Sequence, residues 1–160
     1  MVFTRSLRDV FGVAIVNAWF PLPPTPILVD SAEPYLIPES RLDDFRSYIS
    51  SAQARSVDVD FGSANDVAAV IDALKAVLPF PDWCGSNWDS IEDAFDDIRQ
   101  EWSFPLVIVA HGLSSLIDRK VHLALEVVLR MSGLSHAFSV AGDQLMVTYV
   151  GKDWGRQIGG

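Results

Sequence analysis

The sequence predicts a layered α/β domain: a small, mainly parallel sheet of about three strands, with a further strand in a C-terminal hairpin, flanked by helices. Three observations predict it. Pro105 to Ala110 is a nearly continuous apolar run, the pattern of a strand covered on both faces. Val57, Val59 and Phe61 alternate with Asp58 and Asp60, the period of a half-buried strand. Between and after these strands lie stretches with apolar residues at helical spacing, and parallel strands need such crossovers. A chain of 160 residues, 49% hydrophobic and 21% charged, can bury a core without a cross-link. Its single cysteine, Cys84, excludes an intramolecular disulfide and suits a reducing, cytoplasmic setting.

Residues 1–54 read as an N-terminal extension, 55–150 as the domain and 151–160 as a tail. The apolar run Val10 to Phe20 predicts an amphipathic or buried helix. It falls short of the roughly 20 residues a spanning helix needs and lacks a small-x-small cleavage pattern. Neither a membrane nor a secretory route is therefore expected. Pro21 to Pro26 reads as a linker, because prolines remove donors and hold the chain extended. Ile27 to Val29 reads as a short strand, and Pro34 and Pro38 as marks of an irregular stretch. Leu42, Phe45 and Ile49 predict a short helix over Arg41–Ile49, with Ser40 as its N-cap.

The domain then opens with a strand over Arg55–Asp60, closed by Gly62-Ser63. A helix over Asp66–Leu78, capped by Asn65 or Ser63, buries Val67, Val70, Ile71, Leu74 and Leu78. Pro79-Phe80-Pro81 stops it. The turn Asp82-Trp83-Cys84-Gly85 leads to a second helix, capped by Ser86 or Asn87 and running to about Gln100. After the apolar strand, Gly112 precedes a helix over Leu113–Met131, broken near Asp118. Phe138–Val140 and Leu145–Val150 read as strands joined by an Ala-Gly-Asp hairpin turn.

Charge is distributed unevenly. Lysine and arginine number 12 against 21 acidic residues, a formal net charge of −9. This argues against a nucleic-acid backbone as direct ligand and suits a basic partner. Seven of the acidic residues fall between Asp82 and Glu101, against Arg99 alone. Asp89, Glu92, Asp93, Asp96 and Asp97 recur at i, i+3, i+4, i+7 and i+8, a single acidic stripe on a helix. Ile91, Ala94, Phe95 and Ile98 form the opposite, buried stripe. Like charges at i,i+4 cost about 0.2–0.5 kcal/mol per pair. The positive end of the helix dipole offsets this for Asp89 and Glu92, whereas Asp96 and Asp97 lie beyond the first turn. Taken alone, such a stripe is a solvated face. Trp83, Trp88 and Trp102 around it shift the reading toward an interface, since tryptophan is enriched at binding hot spots. Trp88 or Trp102 is expected to be core.

The segment Phe80-Pro-Asp-Trp-Cys-Gly-Ser-Asn-Trp-Asp-Ser-Ile-Glu-Asp-Ala-Phe95 resembles the signature of the barstar family of ribonuclease inhibitors, with Pro81, Asp82, Trp83, Gly85, Asn87, Asp89 and Asp93 in matching order and spacing. The resemblance runs from about Arg55 to Val150. It implies a barstar-like fold, a three-stranded parallel sheet flanked by helices. It also implies inhibition of a small basic ribonuclease or nuclease toxin, in a bacterial immunity or toxin–antitoxin role, by an acidic helix and its preceding loop laid into the active-site cleft. By position, Trp83 corresponds to an aromatic of the binding loop and Asn87 to the helix start beside it. Asp89 corresponds to a carboxylate that meets an arginine at the cleft edge. Asp93 corresponds to the central carboxylate, which occupies the substrate phosphate position opposite arginines and a histidine. Trp88, Glu92 and Asp96 complete the expected contact surface. The chain departs from the pattern at Glu92 and Cys84, which replace aromatics. A longer stretch follows Asp93, and Met131 stands beside Arg130 where the family has a glutamate.

Enzymatic readings have less behind them. His111, His122 and His136 show no metal-ligand spacing with one another, with Cys84 or with a carboxylate pair, so no metal and no cofactor is expected. Cys84 at a helix N-terminus suggests a lowered pKa, but a nucleophile needs a histidine placed by the fold. Asp89 and Asp93 on one convex helix make a poor glycosidase cleft. No phosphate loop or dinucleotide fingerprint occurs. A non-inhibitory scaffold that binds another basic protein remains the alternative. A monomer is expected, unless the extension mediates assembly.

Overall fold

The computed structural model describes residues 19–24 and 27–152. The N-terminal helix expected before Trp19 and the tail after Lys152 lie outside the described residues. Trp19 and Phe20, the last residues of that expected helix, belong to no helix.

Strand β1 (Tyr35–Pro38) leads through a 3-10 turn (Glu39–Arg41) into α1 (Leu42–Ser51). Strand β2 (Arg55–Asp60) is followed by α2 (Val67–Lys75), α3 (Trp88–Asp93) and α4 (Phe95–Glu101). Strand β3 (Leu106–His111), helices α5 (Leu113–Arg119) and α6 (Val121–Val140), and strand β4 (Leu145–Gly151) complete the order. The four strands form one sheet in the order β1-β4-β3-β2, and every pairing is parallel.

The sheet explains its own coverage. Leu106 to Ala110 are fully buried, with alternate side chains on opposite faces. Leu106, Ile108 and Ala110 join Leu145, Val147 and Tyr149 under α2–α6. Val107, Val109, Met146 and Val150 join Phe45 and Ile49 of α1, with Phe20, Leu28 and Ile37. The steps from β2 to β3 and from β3 to β4 run the same way across the sheet. Right-handed crossovers therefore put their helices on one face, and the reverse step from β1 to β2 puts α1 on the other.

Several expectations are corrected. The early strand is Tyr35–Pro38, not Ile27–Val29, which forms a turn and bends. Proline is tolerated here because β1 is an edge strand, with Pro34 just before it and Pro38 as its last residue, opposite Gly151. The packing thus continues across residue 55, where the family resemblance begins. Ser40 sits inside the 3-10 turn and caps nothing, and α1 begins at Leu42 with no side-chain cap. Asp66, rather than Asn65 or Ser63, caps α2, accepting from the Ala69 N–H at 2.9 Å. The break expected near Asp118 falls at Lys120.

The C-terminal hairpin does not exist. Helix α6 runs through Phe138 to Val140, and β4 lies parallel to both neighbours. Leu123, Val127, Met131, Leu134 and Phe138 keep one buried helical face past Gly133. Ala-Gly-Asp is the helix's C-terminal cap. Gly142 adopts φ +96°, its N–H donates to Ser139 O, and the Asp143 N–H reaches back to Phe138 O at 2.9 Å. These two bonds close a Schellman motif, which favours glycine at the left-handed position.

Candidate functional site

The loop at 79–87 is built from the core outward. Trp102 is buried, stacks on Phe138 at 5.5 Å and meets Phe80 edge-on at 5.6 Å. Its Nε1 donates to Pro79 O at 2.7 Å, so one indole supports the base of the loop. Cys84 points inward, and its N–H donates to Pro81 O at 3.0 Å. Lys75 of α2 donates its ammonium to Cys84 O, and Ser86 bonds to Asp72. Gly85 leaves room for the cap: a Cβ there would meet Ser90 Oγ at 2.9 Å and Asn87 Nδ2 at 3.2 Å, so those side chains would have to shift.

This loop delivers the chain to α3 with its N-terminus capped. Asn87 Oδ1 accepts from the Ser90 N–H at 2.8 Å, which selects Asn87 over Ser86 as the cap. Trp88 is buried against the core, and its Nε1 donates to Glu126 Oε2 of α6 at 3.0 Å. What Trp88 contributes is therefore the seating of α3 rather than contact surface. Trp83 is the reverse case, 59% exposed at the tip of the loop.

Asp89, Glu92, Asp93, Asp96 and Asp97 are all exposed, above a buried row of Ile91, Ala94 and Ile98, with Phe95 half-buried. The helix carrying them is not continuous. Ala94, at φ −90° and ψ 5°, ends α3 and begins α4. Asp96 and Asp97 consequently lie in the first turn of a second helix, where the dipole favours carboxylates. The single-helix expectation, which left them uncompensated by any dipole, is corrected on this point.

Countercharges are sparse. Arg99, the one cation in the segment, turns to the end of α6, with Nε 2.8 Å from Asp143 Oδ2 and a second bond to Ala141 O. Glu92 stands 3.7 Å from Arg130, an exposed pair of little strength. Among the described residues, Asp89, Asp93, Asp96 and Asp97 have no ion-pair partner. Asp82, Asp97 and Glu101 share a recess of about 340 Å³ with Pro79, Phe80, Pro81 and Gln100. Asp82 and Asp97 are already part of the motif and the acidic stripe read from sequence, and Glu101 joins them here; the charge count over Asp82–Glu101 was the signal for Glu101.

The other reactive groups are placed elsewhere. Burial pushes the Cys84 thiol up, with Lys75 only partly opposing it, contrary to the lowered value its sequence position suggested. His111 Nε2 lies 2.8 Å from Asp58 Oδ2, and Arg46 grips the same carboxylate at 2.6 and 3.1 Å. Among the described residues no group of three or more His, Cys, Asp or Glu is arranged to hold a metal. The arrangement is suited to binding: exposed carboxylates and an exposed indole on a loop and two short helices held from below by buried side chains.

A family model described as Barstar (barnase inhibitor) matches residues 54–147. No curated protein matches the chain.

Proposed function

The chain belongs to the barstar family, and from that premise we propose that it inhibits a small basic ribonuclease by presenting α3, α4 and the 79–87 loop to the enzyme's active-site cleft. The observation that carries this reading is the row of exposed carboxylates with one weak intramolecular countercharge, Arg130 beside Glu92, next to an exposed Trp83. On a free protein, such a row is mildly destabilising; against a cationic cleft it becomes attractive. Asp93 is the central group of the proposal. Its carboxylate offers an arginine fork the two acceptor oxygens of a phosphate and no scissile bond. Asp89 and Asp96 flank it, and Glu92 adds charge where the family pattern has an aromatic. Opposite net charges would steer the encounter and speed association. The reading includes a cytoplasmic immunity or antitoxin role.

The test is a titration of the protein into a panel of small basic microbial ribonucleases, reading residual RNA cleavage. The proposal expects stoichiometric inhibition of at least one. The departures at Glu92 and Cys84 favour a second reading, a scaffold that binds another basic protein without inhibiting it. Binding without loss of cleavage would select that reading.

A further inference from the structure

Helix α6 buries one face and leaves another bare, and the bare face is ordered by size. At i, i+4 spacing it runs through Val121, Leu125, Leu129, Gly133, Ala137 and Ala141, three bulky residues followed by three small ones. The first five are exposed, and Ala141, in the helix cap, is half-buried. Val121 is 55%, Leu125 56% and Leu129 63% exposed. A Cβ at Gly133 would meet nothing within 4 Å, so the small half of the row is open. Single exposed apolar residues need no account, but a contiguous row does.

This order is complementary to its own reverse. Two copies of α6 set antiparallel and level at Met131 put Leu129 of each against Gly133 of the other, Leu125 against Ala137 and Val121 against Ala141. Bulk then meets a gap at each step, as close helix packing needs. A parallel pair would set bulk on bulk at 125 and 129 and leave space at 133 and 137. Charge favours the same arrangement. Glu126 of one copy comes level with His136 of the other, and exposed Lys120 with the carbonyl end of the facing helix, its negative pole. The parallel pair would bring Glu126 to Glu126 and Arg130 to Arg130. The extent is sufficient as well. The 20 residues of α6 span about 30 Å, and a stable interface of about 800 Å² per partner is also roughly 30 Å across. By length and composition α6 could cross a membrane. Its Leu123, Val127, Met131, Leu134 and Phe138 are core residues, however, and the helix could not leave the domain without emptying that core.

We propose that two copies of the chain pair antiparallel through this face of α6. The occupant is a second copy because the row matches itself, reversed, in size and in charge. The inference is independent of the ribonuclease reading, since its test reads mass and involves no enzyme.

The experiment is sedimentation equilibrium on the full chain, with a thermal melt of each variant to show that it folds. At about 100 µM the parent is expected as a dimer, twice the 17.6 kDa chain. Leu129→Glu, a change at an exposed side chain, should raise the dissociation constant at least about 30-fold. Gly133→Leu should do the same by filling the space that Leu129 of the other copy needs, although within one chain the new side chain starts into open space. Leu129→Ala/Gly133→Leu exchanges bulk and gap, and should restore the dimer. A parent that stays monomeric would overturn the proposal, and flotation of that monomer with phosphatidylcholine/phosphatidylglycerol vesicles would assign the row to a membrane instead. A dimer that survives either single variant would place the contact elsewhere. A double variant that stays monomeric would overturn the antiparallel register.

Discussion

The surface of α3 and α4 and the outward face of α6 belong to one packed layer, yet each leaves a different thing uncompensated. The first exposes carboxylates with almost no countercharge, and the second exposes hydrocarbon in a contiguous row. Their supports differ as well. The acidic surface is held from below by Trp102, Trp88 and the Asn87 cap, each with a specific hydrogen bond. The α6 row is simply the far side of a helix whose near side is core. The difference teaches that the acidic surface is positioned in detail, as recognition of a directional charged partner demands. The apolar row is held only by the packing of the opposite face.

The largest effect should come from removing the support of the first surface. Trp102→Ala deletes a buried indole that stacks on Phe138 and holds Pro79, and should cost about 3–5 kcal/mol of stability in denaturant unfolding. A loss below about 1 kcal/mol would mean that the loop base is held by other contacts. Asp93→Ala comes next, acting on partner affinity and leaving stability near the parent's value. Asn87→Ala should cost about 1 kcal/mol by removing the cap of α3. Its melting temperature should fall by about 2–4 °C, and an unchanged melt would mean that the cap bond adds nothing to stability.

The smallest effect lies away from both. Asp58 has its carboxyl held below its ordinary value, chiefly by the Arg46 hydrogen bond and also by His111, with burial opposing. Its folded pKa is depressed, so its contribution is full above the ordinary carboxylate range and is lost as pH falls through the lowered value. The pair is half-exposed, so the effect is modest. Asp58→Asn should lower the neutral plateau of the melting-temperature profile slightly and leave its acid end unchanged, which flattens the acid limb. A slope equal to the parent's would remove Asp58 from the account of acid stability.

The sequence carried these features unequally, for physical reasons. The acidic row was legible because charge spacing is a local property, and β3 because full burial on both faces leaves an unbroken apolar run. Strand β1 was hidden by Pro34 and Pro38, since edge pairing tolerates prolines that a central strand would not. The true end of α6 was hidden by Gly142: the same Ala-Gly-Asp suits a hairpin turn and a Schellman cap, and only the bond from Asp143 N–H to Phe138 O distinguishes them. The break at Ala94 has no sequence signal, as alanine is the best helix former. Sequence spacing put Trp83 and Trp88 together, and packing separated them into an exposed contact and a core anchor.

The most direct test of the central claim is the affinity of the parent protein and of Asp93→Ala for a ribonuclease drawn from the basic panel, measured by calorimetry alongside cleavage. The account predicts one-to-one binding that abolishes cleavage, and a loss of at least about 30-fold in affinity for the variant, equivalent to about 2 kcal/mol. Equal affinity for the two proteins, or no inhibition of any enzyme in the panel, would contradict it.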